Sequence, residues 1–265
     1  MKSSIVSLIV MISSLFILNA CEVSARDIQN YQATFVTMTD NDGLEQMESR
    51  IQAAFYQSFI QQNPDELDKI VSELENMPTN TWSDYWLAYA KFRKAVFHIA
   101  QNDTEQSESI SKDALETVAN IKEKTSEHYA LQAMIHSFTI QFMRGIQAGV
   151  ASQKVSSLLK KAKKLDDKNL RVYFVMGNQD FYTPEQYGGG KKVEEFLTQA
   201  IALDHQYNDN PILPTWGKDE AYELLLEFYI KNEEYEKAKT LFQEASTAYP
   251  NSYRLMQMGT KLVGK

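Results

Sequence analysis

Near its C-terminal end the chain carries two apolar runs of helical period joined by a short polar segment, DEAYELLLEFYIKNEEYEKAKTLFQEASTAYP (Asp219 to Pro250). Tyr222, Leu225, Leu226 and Tyr229 stand at i, i+3, i+4 and i+7, one face of an α-helix. Ala238, Phe242 and Ala245 mark the matching face of a second helix. The intervening KNEE, Lys231 to Glu234, leaves room only for a tight reversal, and Pro250 stops the second run. Small residues let two antiparallel helices approach closely, and the aromatic rings fill the gaps beside them. Such a hairpin still has an oily side that only a neighbouring hairpin covers, so the unit predicts a stack.

The same anchors recur upstream. First-helix aromatics stand at Tyr85, Tyr129, Tyr173 and Tyr222, and second-helix pairs at Ile110/Ala114, Leu158/Ala162, Phe196/Ala200 and Leu241/Ala245. The earlier units are each a few residues longer. Glu45 to Met77 is expected to form one more helix pair, with Asn63 and Pro64 as N-cap and first-turn proline of its second helix. After Pro250, SYRLMQMGTKLVGK reads as a short closing helix over the last apolar face.

On these residues the Asp219–Pro250 unit resembles a tetratricopeptide repeat (TPR). That family places an aromatic, a Leu, a small residue and a Tyr on the first helix, then Ala, Phe, Ala and a closing Pro. Tyr222, Leu225, Leu226, Tyr229, Ala238, Phe242, Ala245 and Pro250 hold those places, Leu226 being larger than usual. The resemblance is looser upstream, as in VYFVMG with Gly177 at the small position. It implies an all-α chain, a right-handed α-solenoid of antiparallel helix pairs over 44–265. It also implies that Glu220, Glu223 and Glu227, on one face of a first helix, line a concave groove suited to a basic peptide or a cationic ligand. The alternative for these three acids is a solvated face.

The N-terminus reads as an address. Lys2 precedes the apolar run Ile5 to Leu18, which is shorter than the roughly 20 residues of a membrane-spanning helix. Residues 1–20 are expected to be a signal peptide, because LNAC, ending at Cys21, resembles a bacterial lipobox. Cys21, the chain's single cysteine, would then be lipidated and would attach the protein to a membrane. The alternatives are cleavage after Ala25, at the end of VSA, which gives a soluble exported protein, and an uncleaved anchor. Residues 21–43 are expected to be a tether.

A formal net charge of −8 disfavours a nucleic-acid partner. KKAKK, Lys160 to Lys164, reads as a solvated helix face. One cysteine and four histidines without ligand spacing predict no metal site. His128 and His136 lie two turns apart among Met134, Ile135 and Phe138, where packing is the simpler role. The aromatic stripes Tyr85, Trp86, Tyr89, Phe92 and Phe181, Tyr182, Tyr187 read as core, and Trp216–Gly217 as a contact between repeats.

The run TPEQYGGGKKVEEF (Thr183 to Phe196) looks at first like a phosphate loop. A Walker loop needs glycine where Glu185 stands and Ser or Thr where Lys192 stands. Thr183, Pro184 and Gln186 instead resemble a capping box, with a short helical turn ending at Gly188 and a reversal through the glycines. Free N–H groups at the next helix start are the alternative, as an anion site. No nucleophile motif is present, and no cofactor is expected. Taken with the leader at the N-terminus, the resemblance implies a non-enzymatic scaffold of the bacterial cell envelope that presents its concave surface to a protein or peptide. The alternative is a periplasmic small-molecule binder of an uptake system, which requires an aromatic-lined cavity of about 300 Å³ or more.

Overall fold

The structure is a computed structural model that describes residues 43–204, 210–250 and 252–265. The expected leader, Cys21 and all of the expected tether but Gly43 lie outside these residues. Among the described residues there are α-helices and two 3₁₀ turns, and no strand. The helices are α1 (Met47–Gln61), α2 (Asp65–Asn76), α3 (Thr81–Ala100), α4 (Thr104–Asn120), α5 (Ser126–Thr139), α6 (Ile146–Leu165), α7 (Leu170–Tyr182), α8 (Val193–Ala202), α9 (Lys218–Lys231), α10 (Tyr235–Ala248) and α11 (Tyr253–Thr260). None of them is long and apolar enough to cross a membrane. RVYFVMGNQDF, which on composition alone could pass for a strand, is helix α7.

The chain forms two compact units, and it passes from one to the other within α6, after Leu158. The first unit holds the described residues up to Leu158 together with those from 210 to 214. Its centre is α3. That helix starts sharply because Asn80 Oδ1 accepts from the backbone N–H groups of Trp82 and Ser83, while the Ser83 hydroxyl accepts from the Asn80 N–H. Tyr85, Trp86, Tyr89 and Phe92 are all at most 4% exposed, so this stripe is core. Each ring withdrawn in this way contributes about 1.5–3 kcal/mol. Trp86 also donates its indole N–H to the Ile212 carbonyl at 2.9 Å.

The expected pair over Glu45 to Met77 is α1 and α2. Its cap differs from the expected one by a residue: Pro64 is the N-cap position, outside the helix, and Asn63 Oδ1 reaches the Asp65 N–H at 3.3 Å. Three helices are then tied by one buried ammonium, Lys91 of α3, which lies 3.0 Å from Glu75 of α2 and 2.9 Å from Asp113 of α4.

The second unit holds the described residues from Leu159 to Asp204 and from Thr215 onward. The small position anticipated at Gly177 is sterically required. A Cβ on Gly177 of α7 would lie 2.5 Å from Leu197 Cδ2 of α8. Tyr222, Leu225, Leu226 and Tyr229 are buried on α9, as are Ala238 and Ala245 on α10. Leu226 is therefore accommodated although a smaller residue is usual. Phe242 is half-buried, and its ring lies so close to α11 that a Cβ on Gly259 would be 2.5 Å from Phe242 Cζ. The closing helix α11 exists as expected and buries Leu255, Met258 and, just beyond it, Leu262. Pro250 is exposed, two residues past the end of α10.

Candidate functional site

The glycine run is a turn whose every residue has a steric reason. A 3₁₀ turn at Glu185–Tyr187 ends on Gly188, which has φ 91°, and Gly190 has φ 81°. A Cβ on Gly189 would lie 1.9 Å from the Thr183 carbonyl oxygen. The capping box anticipated at Thr183 does not form. Its hydroxyl instead donates back to the Gln179 carbonyl at 2.7 Å, because α7 is still close enough to offer that acceptor. At the start of α8 the Lys192 N–H is taken by Asp180 Oδ2 at 2.7 Å, and Glu194 and Glu195 stand in the first turn. The protein's own carboxylates thus sit where an anionic ligand would have to come, and they repel it.

Within the second unit, α9 packs between α7 and α11. The acids Glu220, Glu223 and Glu227 do share one face of α9, but they do three different things. Glu220 Oε2 accepts the Gly217 N–H at 2.7 Å and closes the helix start, where Gly217 has φ 108°. Glu223, buried, meets Arg254 Nε of α11 at 3.1 Å. Glu227 is half-buried. Burial raises its carboxyl above the ordinary range, against the pull of Lys261, Arg254 and Lys231.

The surroundings of Glu227 are mixed rather than simply negative. Tyr182 of α7 has its hydroxyl pushed well above the usual phenol range, chiefly by burial and then by the charge of Glu227, with Arg254 acting the other way. Phe181 and Phe228 meet edge-on at 6.4 Å between ring centres, and Lys231 Nζ lies 5.3 Å from the Phe181 ring. Carboxylate, cation and aromatic face therefore lie together on the α7–α9–α11 side. Of the aromatic stripe anticipated there, Phe181 and Tyr182 are half-buried, whereas Tyr187 is 76% exposed in the glycine turn.

Behind this face the structure is rigidly tied. Arg171 at the start of α7 is 1% exposed and donates to the Trp216 carbonyl at 3.1 Å. Phe174 meets the Trp216 ring edge-on, and Gly217 packs against Leu170 and Arg171. Trp216–Gly217 thus makes the contact between repeats that was expected. Asp219 has its carboxyl raised well above the ordinary range by burial, then by Glu220 and Glu223. Tyr222 donates to Glu244 at 2.6 Å, and Tyr229 to Glu194 at 2.8 Å, where Lys237 also binds. The packing tyrosines therefore tie α9 to α10 and α8 through their hydroxyls. Arg171, Arg254 and Asp219 were not singled out in the sequence. The one available signal was an arginine placed inside an apolar run, as in NLRVYF.

His128 is a packing residue in the first unit. It is fully buried, with its ring centre 4.9 Å from Trp82 and 5.4 Å from Tyr85. Nδ1 accepts from the Thr125 N–H at 3.2 Å, and Nε2 faces the Thr81 carbonyl at 3.2 Å. Burial lowers its pKa to about 4, the Thr81 carbonyl opposing and Lys124 assisting. Among the described residues no cluster of His, Cys, Asp or Glu could hold a metal ion.

No family profile matches the chain, and no curated protein matches it in sequence. Two solved structures share its fold. The HusA haemophore from Porphyromonas gingivalis superposes with a TM-score of 0.52 at 20% identity, covering 73% of this chain and 96% of its own. A thermophilic TPR protein of Thermus thermophilus superposes with a TM-score of 0.52 at 14% identity, covering 82% of this chain and 99% of its own. Among the described residues the chain is all-helical, its helices pack in sequence order within each unit, and its fold is similar to that of a TPR protein.

Proposed function

We propose that the protein is a non-catalytic TPR-like binding protein of the bacterial cell envelope, presenting the α7–α9–α11 face to a segment of a partner protein. The observation that carries this reading is the group around Glu227. A half-buried carboxylate with a raised pKa feels Lys231, whose ammonium lies 5.3 Å from the Phe181 ring, and Phe181 in turn packs on Phe228. Burial outweighs the three cations that act on this carboxyl, and a Lys or Arg side chain brought within reach of it would be held by a charge-assisted hydrogen bond worth about 1.5–3 kcal/mol. The two rings offer apolar area to the neighbouring residue of the same segment. Glu220 and Glu223 support the face from within, by the helix cap and by the pair with Arg254.

The test is a peptide array probed with purified protein. The reading expects peptides with Lys or Arg next to an aromatic or aliphatic residue to be selected, and Glu227→Gln to weaken them roughly ten- to hundredfold. Selection that ignores basic residues, or affinities unchanged by Glu227→Gln, would reject it. Changing Glu220 is uninformative, because it caps its own helix.

The envelope assignment rests on Lys2, the apolar run and LNAC, which ends at Cys21. Mass spectrometry of the protein isolated from cells decides it. An acylated Cys21 is expected; a mature chain beginning at Arg26 would make the protein a soluble exported one, and a retained Met1 would refute export with cleavage. A second reading is favoured by the likeness to a haemophore over nearly all of that protein's length: helices that enclose a small, flat ligand. Titration with haemin separates the two. A saturable one-to-one Soret change would support the carrier reading, and a non-saturating response would reject it.

A further inference from the structure

From His128 to Leu165 the sequence has no Asp or Glu, yet it holds Arg144, Lys154, Lys160, Lys161, Lys163 and Lys164. The chain as a whole has a formal net charge of −8, so this stretch opposes the sign of the remainder. Its first half forms the corner between α5 and α6 in the first unit. A 3₁₀ turn, Ile140–Phe142, leads through Met143 and Arg144 to Gly145, whose φ of 56° turns the chain into α6.

At this corner Ile146 is 86% exposed and Val150 is 61% exposed. They stand at i and i+4 on α6, and Lys154 continues the same line one turn further on. Arg144 is exposed immediately before the helix. Ala151 and Val155, on the other side of α6, are buried, so Ile146 and Val150 belong to the outward face and not to the core. Gln147, Gly149 and Gln153 complete that face and carry no charge.

Two exposed branched side chains, flanked by cations in an acid-free stretch, match a surface that is apolar beneath a negatively charged layer. Lys154 follows Val150 by one turn and Ile146 by two on the same face, so a helix lying in the interface plane presents the apolar pair and the cation to the bilayer together. We propose that the α5–α6 corner docks on an anionic lipid bilayer, with Ile146 and Val150 entering the acyl boundary and Arg144 and Lys154 meeting lipid phosphates. The contact uses none of the residues of the α7–α9–α11 face, and it does not depend on whether Cys21 is acylated.

The test is co-sedimentation of the full chain with vesicles of phosphatidylcholine alone or of phosphatidylcholine mixed with phosphatidylglycerol. Neutral vesicles give the reference for the apolar residues ahead of Cys21, so the readout is the anionic-to-neutral binding ratio. Each cation at an anionic surface contributes roughly fivefold, so R144E/K154E is expected to lower the ratio by about 25-fold or more at low salt. I146S/V150S is expected to lower binding to anionic vesicles about tenfold or more. Raising salt from about 0.05 to 0.5 M shortens the Debye length and should erase most of the ratio. Circular dichroism checks that both variants keep their helix content. A wild-type ratio near one overturns the proposal, as does a ratio that neither variant changes. If I146S/V150S instead dissolves a dimer in velocity sedimentation and leaves the ratio intact, the patch belongs to a second copy and the proposal fails.

Discussion

His128 should make the first unit lose stability on acidification, by an amount set by its surroundings. Its Nδ1 already accepts a hydrogen bond from the Thr125 N–H, so the proton sits on Nε2, facing the Thr81 carbonyl. A second proton must go to Nδ1, where it would oppose that N–H in a buried site. Burial is the chief reason the pKa falls to about 4 from the ordinary 6.5, with the Thr81 carbonyl opposing and Lys124 assisting. The unfolded chain takes up the proton below about pH 6.5, and the folded chain only near pH 4. Between these values the unfolded state binds more protons, so stability falls as pH falls. At about 1.36 kcal/mol per pKa unit, the difference amounts to about 3 kcal/mol once pH drops below the folded value. The assay is urea unfolding followed by tryptophan fluorescence at pH 7, 6, 5 and about 4, for the wild type and for His128→Asn. The Asn carbonyl stands in for Nδ1 and does not titrate. The variant should be weaker at pH 7, and its deficit should shrink by about 3 kcal/mol towards pH 4. Parallel pH profiles for the two proteins, or an imidazole NMR titration centred near 6.5, would refute the reasoning.

The glycine turn predicts an order of costs. Gly188→Ala and Gly190→Ala should each lose about 1–2 kcal/mol from positive φ alone, whereas Gly189→Ala should lose more, since its Cβ would collide with the Thr183 carbonyl; urea midpoints measure this, and equal losses would contradict the steric account. Lys91→Ala leaves Glu75 and Asp113 without their shared partner and should cost about 1–3 kcal/mol, the two acids being partly solvated. Lys91→Ala unfolding at the wild-type midpoint would contradict that. Glu227→Gln should stabilise the second unit at neutral pH and lose that effect in acid. The folded carboxyl keeps its proton to higher pH than the unfolded one, so the wild type is penalised only above the unfolded value. A gain that persists at pH 3 would refute it.

The helical order could be read from the sequence because steric fit is written locally. Tyr85, Tyr129, Tyr173 and Tyr222 all fall on first helices, and Ala114, Ala162, Ala200 and Ala245 all fall on second ones. Gly177 was read as the small position, and Leu197 is the side chain that fills its space. What could not be read depends on partners far along the chain. Period alone places Glu220, Glu223 and Glu227 on one face, but Arg254 arrives from α11 to pair with Glu223. Nothing in the α9 sequence announces it. The same holds for Arg171, whose acceptor is the Trp216 carbonyl, beyond α8 in the chain. The Thr183 cap was missed for a subtler reason. Thr, Pro and Gln stand at capping spacing, but the hydroxyl had a nearer acceptor in the turn it was leaving.

In the function proposed above, the protein works by offering the α7–α9–α11 face to another polypeptide. The most direct measurement is photo-crosslinking in intact cells, with a photoreactive amino acid placed at Phe228 on that face or at Thr247, exposed on α10. The account predicts a discrete protein adduct from position 228, weakened by Glu227→Lys, and none from position 247. Equal adducts from both positions, or an adduct at 228 indifferent to Glu227→Lys, would contradict it.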